Sequence, residues 1–341
     1  MTPLIGLMLG DCTGIGPEQC ARVLADRRLA DAAKLLVIGD ARVLAQGAID
    51  ARVALQIRSY HAPEDVSWSD DCVPVIDLAN IDPRNVRRGQ ISADSGRATG
   101  ETLATMVALA LEQRLDAITF APLNKAALQA GGWKFADEHQ MFAHLTKHQG
   151  FFGEMNVLDG KWMSRVTSHL ALRAALDLIT EQRIHDALTL ADTTMRAAGF
   201  QNPRIAVAAL NPHGGENGLF GREEIDIIVP AVKRASARGI ACEGPFPSDT
   251  VFIKGFGDSF DGVLSMYHDQ GQIATKLKGF NRGVTVTAGL KTIFTTPAHG
   301  TAFDIVGQGV ATTGALEQAV RLAARLSSGR KVPLNDSVNA S

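Results

Sequence analysis

The chain of 341 residues lacks an excess of charge of either sign: 34 Lys and Arg stand against 36 Asp and Glu, a formal net charge of −2. With the basic residues scattered rather than striped, that balance gives no electrostatic footing for nucleic acid or for an anionic membrane surface. Cysteine is scarce. Cys12, Cys20, Cys72 and Cys242 form no CxxC pair and no metal-type spacing, which argues against a disulfide frame and suits free thiols in a reducing compartment. Long apolar runs are missing too. The run Pro3–Leu9 is too short for a membrane span, has no basic stretch before it and breaks at Gly10-Asp11. It is expected to be a first core strand of a cytoplasmic protein that meets no membrane. Neither GxGxxG nor GxxxxGK[ST] occurs, so a Rossmann or P-loop nucleotide site has no support. What the chain does have is 45% hydrophobic and 21% charged residues, enough for a full core divided between two domains. A small polar metabolite is the expected partner.

Short β-branched runs alternate with longer amphipathic segments, which is α/β order. The runs 4–9, 35–38, 73–78, 117–120, 164–167, 205–210, 262–266 and 284–288 read as strands, several of them apolar on both faces as strands covered by helices should be. Helices are expected over 17–26, 96–114, 126–131, 137–149, 181–198 behind a Thr180 cap, 222–237 and 314–326. No internal repeat is visible. The residues from Arg330 to Ser341 are polar with little periodicity and are expected to form a frayed tail.

Three of these strands run on into a histidine: 164–168 into His169, 205–210 through Asn211-Pro212 into His213, and 262–267 into His268. Ligands of open α/β sheets bind at the carboxyl ends of strands, where loops converge. Three imidazoles delivered there could hold one divalent ion and leave positions open for water and substrate. Glu216, Asp249 and Asp269 are placed to orient the rings or complete the coordination sphere. Equally, each histidine could be an ordinary hydrogen-bonded residue, and spacing alone does not separate the two readings. His61, His144, His148 and His185 show no convergent pattern and read as solvated.

Seven blocks in order carry a resemblance. They are Gly10–Glu18, Ala121–Lys125, Asn211–Glu216, Gly218–Gly221 with Glu223–Asp226, Gly244–Pro247 with Asp249-Thr250, Met266–Gly271, and His299–Ala302 with Asp304. Together they resemble the 4-hydroxythreonine-4-phosphate dehydrogenase family across nearly the whole chain. The resemblance implies two α/β/α domains flanking a cleft, similar to the isocitrate and isopropylmalate dehydrogenases. One domain is expected from 1–136 plus 281–329 on the nucleotide side, the other from 137–280 on the metal, substrate and dimer side. It also implies a homodimer with the site at the interface and a divalent ion (zinc, magnesium, manganese or cobalt) on His169, His213 and His268. NAD, or alternatively NADP, is the implied oxidant, with His299, Gly300, Thr301 and Asp304 resembling the loop that meets adenosine. Read without the resemblance, that last block is a structural turn, and the Gly10–Glu18 loop serves either an anion or a tight strand-to-helix connection. Lys276 is assigned as an anion contact or proton relay, and Asp249 and Asp269 as catalytic or water-orienting groups. Asn124 and Lys125 are expected to line the cleft.

The chain departs from the family where substrate phosphate is held. Glu138 and His139 stand where the family has His and Thr, Thr285 where it has Asn, and Phe294 where it has Arg. A carboxylate repels a phosphate dianion and Phe294 removes a charged fork. Phe294, with Trp133 and Phe135, would suit a flat ring, although aromatic residues most often serve the core. The expected reaction is therefore a metal- and NAD-dependent oxidation, with decarboxylation, of a non-phosphorylated hydroxy acid or cis-dihydrodiol carboxylate, as in the terephthalate cis-dihydrodiol dehydrogenase branch. Two alternatives stand beside it: a dehydrogenase of a phosphorylated four-carbon hydroxy acid such as 4-phosphohydroxythreonine, and a metal-dependent hydrolase or lyase.

Overall fold

The structure is a computed structural model that describes residues 2–68, 71–279 and 282–330. Twelve strands form one sheet: β1 Leu4–Met8, β2 Lys34–Gly39, β3 Ile57–Tyr60, β4 Val73–Asp77, β5 Ala117–Phe120, β6 Gly153–Leu158, β7 Lys161–Arg165, β8 Ile205–Ala208, β9 Cys242–Phe246, β10 Gly262–Ser265, β11 Val284–Ala288 and β12 Phe294–Pro297. Their order across the sheet is β3-β4-β2-β1-β5-β12-β11-β6-β7-β10-β8-β9. The two flanks are parallel. The middle is antiparallel, where β11 pairs with β12 on one side and β6 on the other, and β6 pairs with β7. Strands β6 to β10, all from the stretch 137–280, lie contiguously at one end, and the remaining seven lie at the other.

Parallel strands need crossover segments, and helices supply most of them. Strands β5, β8 and β10 are buried along their full length, which explains their unbroken apolar sequences. Helix starts are marked by side-chain caps: Asp40 accepts from the Arg42 amide, Ser92 from Ser95 and Thr180 from Arg183. The expected helix over 222–237 divides into a π turn at Glu224–Ile228 and an α-helix at Val229–Ala237, with Pro230 in its first turn. Proline has no N–H to give the preceding turn, so the regular ladder is interrupted there. Among the described residues no helix is long and apolar enough to cross a membrane. The last helix runs Gly314–Arg330, and the rest of the expected tail, 331–341, lies outside the described residues.

Near the cleft the core is aromatic. Phe294 is fully buried on β12 and stacks on Phe142 with ring centroids 4.0 Å apart and planes 3° off parallel, while Phe142 meets Phe120 edge-on at 5.5 Å.

Candidate functional site

Strands β7, β10 and β8 lie side by side and parallel, so their carboxyl ends share one edge of the sheet. His169, His268 and His213 follow them in that order. The His169 ring donates through Nδ1 to Asp137 Oδ2 at 2.6 Å, while Asp137 Oδ1 caps the helix Glu138–Leu145 by accepting from the Gln140 amide at 2.8 Å. One carboxylate thus fixes both a helix start and an imidazole. Burial pushes the Asp137 carboxyl up, and the His169 and Gln140 hydrogen bonds outweigh it, holding the group at about 2. His268 opens the helix His268–Gly279 with its Nδ1 2.6 Å from Asp269 Oδ1. The rings of His169 and His268 stand 5.4 Å apart, tilted by 44°. With both Nδ1 atoms occupied, each ring keeps Nε2 for a ligand, an arrangement in which carboxylates set the tautomer and orientation of metal-binding imidazoles.

His213 does not join them within one chain. It lies exposed in a left-handed run, His213 to Asn217, whose φ values are 53, 66, 78, 41 and 53°. Its ring neighbour is Phe220, at 6.3 Å. The run is pinned by Glu224: Oε1 accepts from the Leu210 and Asn211 amides at 2.8 Å each, and Oε2 accepts from Asn211 Nδ2 at 2.9 Å. Gly215 is required there, because a Cβ at that position would come within 2.6 Å of Glu224 Oε2 at a φ of +78°. Burial raises the Glu224 carboxyl, but the Asn211 side chain and the backbone donors prevail and hold it below its ordinary value. Among the described residues no group of three or more His, Cys, Asp or Glu side chains is placed to hold a metal ion.

Beside His169 opens a cleft of about 290 Å³. Of the residues expected to bind substrate or nucleotide, Glu138, Thr285, Lys276, His299 and Gly300 line it, as does Lys125, whose Nζ lies 3.3 Å from Glu138 Oε2. Several expectations are corrected. Phe294 faces the core, not the cleft, since its ring is consumed by the Phe142 stack. Asp249 sits in an exposed turn, whereas Asp269 meets His268 Nδ1 through its Oδ1 at 2.6 Å while the rest of its side chain is exposed. His139 is buried, with Nδ1 2.6 Å from Thr287 Oγ1 and Nε2 3.6 Å from Glu154 Oε2. Burial pulls its pKa down, and the facing Glu154 overcomes this and raises it. Thr301 is buried under the Gly10–Gly16 loop, where its carbonyl accepts from the Ile15 amide at 3.1 Å, and Asp304 is exposed in a short turn. Asn124 caps the helix Lys125–Ala130 through the Ala127 amide. His185, expected in solvent, is buried.

Sequence reasoning missed five polar residues around the cleft. Glu154 and Asn156 on β6, and Gln272 and Thr275 on the helix His268–Gly279, line it; Arg165 at the end of β7 stands behind them with its side chain 4% exposed. Neither β6 nor that helix was expected. The alternation Glu154-Met-Asn-Val157, polar toward the cleft and apolar toward the core, was the available signal.

The family model described as pyridoxal phosphate biosynthetic protein PdxA matches residues 31–323. The chain belongs to the PdxA family. A Pseudomonas aeruginosa PdxA relative, named only provisionally as a second 4-hydroxythreonine-4-phosphate dehydrogenase, is 46% identical over 326 residues, 95% of this chain and 97% of the relative. The D-threonate 4-phosphate dehydrogenase of Cupriavidus necator is 40% identical over 96% of this chain and 98% of its own. Among solved structures, the 4-hydroxythreonine-4-phosphate dehydrogenase of Klebsiella pneumoniae superposes with a TM-score of 0.84 at 38% identity, covering 96% of this chain and 98% of that one. The terephthalate 1,2-cis-dihydrodiol dehydrogenase of Burkholderia xenovorans is more distant, with a TM-score of 0.67 at 25% identity over 95% of this chain and 98% of that one.

Proposed function

We propose that this PdxA-family protein is a dehydrogenase that oxidises a CH–OH group of a phosphorylated four-carbon hydroxy acid, with NAD as oxidant and a divalent metal ion. The observation that carries the reading is the pair of carboxylate-oriented imidazoles, His169 and His268, at the mouth of a polar cleft that also holds Lys125, Lys276 and His299. Imidazole nitrogens backed by carboxylates suit a divalent first-row metal, but two rings are too few for a catalytic site. We assign the third position to His213 of a second copy, in a homodimer whose interface completes the site. Exposed apolar side chains near the three histidines support this: Leu170, Leu172, Leu219 and Phe220 are 48 to 72% exposed.

A divalent ion there would lower the pKa of a chelated hydroxyl and so favour hydride loss to nicotinamide. The chain's own residues do the rest. Asp137 holds the His169 ring in place, Lys125 and Lys276 offer charge to an anionic group, and the 299–301 loop with the Gly10–Gly16 loop forms the nucleotide side.

The phosphorylated acid displaces the non-phosphorylated, decarboxylated dihydrodiol as the favoured substrate on two grounds. The dihydrodiol enzyme is 25% identical, against 38 to 40% for the two phosphate-ester enzymes. Phe294, which had suggested a flat ring, lies in the core. The test is formation of reduced nicotinamide by metal-stripped protein given NAD, one divalent ion at a time, and either threonate 4-phosphate, 4-phosphohydroxythreonine or a carboxylated cis-dihydrodiol. Turnover of a phosphate ester that needs added metal and is lost in His169→Ala is expected. Turnover of the dihydrodiol alone overturns the substrate, and substrate loss without reduced nicotinamide points to a hydrolase or lyase.

A further inference from the structure

The residues on the cleft floor are not those of an anion site. Glu154 and Asn156 project from β6 beside Thr285 of β11 and Gln272 of the helix His268–Gly279. Behind them the Arg165 guanidinium is consumed. It hydrogen-bonds Asn156 Oδ1, lies 3.5 Å from Glu154 Oε1, and takes the Gln272 carbonyl oxygen at 2.9 and 3.0 Å. Asn156 Nδ2 in turn donates to Glu154 Oε1 at 3.1 Å and to Thr285 Oγ1 at 3.0 Å. The second carboxylate oxygen is different. Glu154 Oε2 has His139 Nε2 at 3.6 Å and His169 Nε2 at 3.8 Å, both beyond hydrogen-bond length, so it keeps its acceptor capacity on the side that faces the cleft.

We propose that this floor is a hydroxyl-reading subsite, in which Glu154 Oε2 accepts from an uncharged hydroxyl on the carbon next to the reacting one, and Arg165 is the positioning residue that locks Glu154, Asn156 and Gln272 in place. The placement follows from His169. A substrate hydroxyl held beside the His169 nitrogen, on the ion proposed there, would put its vicinal neighbour within reach of an oxygen 3.8 Å from that nitrogen. The charge pattern selects the neighbour's chemistry. A phosphate there is repelled by the facing Glu154 carboxylate; an ammonium finds both nearby carboxylates already paired, Glu154 with Arg165 and Glu138 with Lys125, and adds its charge to that of Lys276. A neutral hydroxyl meets neither penalty. The phosphate is then left to the Lys276 side, and the substrate is a polyhydroxy acid rather than an amino acid. This rests on the proposed reaction for the choice of acids and for the reacting hydroxyl at His169.

The test is binding measured by calorimetry without NAD, in the presence of a divalent ion, for three esters that differ at that one carbon: threonate 4-phosphate, its 2-deoxy analogue 3-hydroxy-4-phosphobutyrate, and 4-phosphohydroxythreonine, which carries an ammonium. Losing a hydrogen bond to a charged acceptor is expected to weaken the deoxy ester about 10- to 100-fold relative to threonate 4-phosphate. In Glu154→Gln, and in the charge-neutral double variant Glu154→Gln with Arg165→Gln, the ratio falls to about threefold or less. Equal binding of the hydroxy and deoxy esters, preference for the ammonium ester, a ratio that survives both variants, or binding of none of the three overturns the subsite. Preference for the hydroxy ester with no reduced nicotinamide formed would instead sink the dehydrogenase reading and leave the subsite standing.

Discussion

At the scale of single residues, Phe294 and Asp137 show how one side chain is claimed by its surroundings. Removing the Phe294 ring leaves a cavity against Phe142, so Phe294→Ala is expected to cost about 3–5 kcal/mol in denaturant unfolding while ester binding in the folded fraction changes little. Asp137→Asn keeps a helix cap but supplies a poorer partner to His169. Metal affinity measured by competition with a chromophoric chelator should drop about 10- to 100-fold. Glu224 gives a pH signature. Its carboxyl is held below 4.5 in the fold, so its contribution is present in full above that value and is lost as pH falls through the lower folded value. Glu224→Gln should therefore be less stable than the parent at pH 7, by about 1–2 kcal/mol, with the difference closing as pH is taken below 4.

At the scale of elements, the left-handed run from His213 to Asn217 is the costliest stretch of backbone near the site. Gly215→Ala adds a Cβ against Glu224 and is expected to lower the thermal midpoint, whereas Asn217→Gly relieves a strained non-glycine φ and should be neutral or stabilising by up to about 1 kcal/mol. Such a run has no periodicity and leaves only a cluster of Gly, Asn and His in the sequence. Strands β5 and β11, by contrast, were legible to the residue, because four or five unbroken β-branched and apolar residues, bounded by Asp116 and Pro122 or by Gly283 and Gly289, leave little choice. Strand β6 and the helix His268–Gly279 were not. Glu154, Asn156, Gln272 and Lys276 spend their polar faces on the cleft, so the pattern that announces an element is broken where function uses it. The histidines were visible as strand extensions; that two of them converge and the third stands apart is a property of loop backbone.

At the scale of the whole molecule, the separation of His213 from His169 and His268 has a decisive test. Mixing His169→Ala and His213→Ala, each inactive alone, should restore activity if the site is shared between copies. Random reassortment into dimers puts one intact site in half of them, so about a quarter of the parent activity is expected. No recovery would place all ligands in one chain. The central ladder has its own bearing on motion. Glu154 pairs with Thr287 and Asn156 with Thr285 across β6 and β11, the strands that join the two ends of the sheet. The seam that holds the halves together is thus the surface against which a ligand is measured. Sliding along it by a single residue would turn Glu154 and Asn156 to the opposite face, so the pairing that joins the two ends of the sheet also fixes which side chains the cleft presents, as a ruler fixes its own zero.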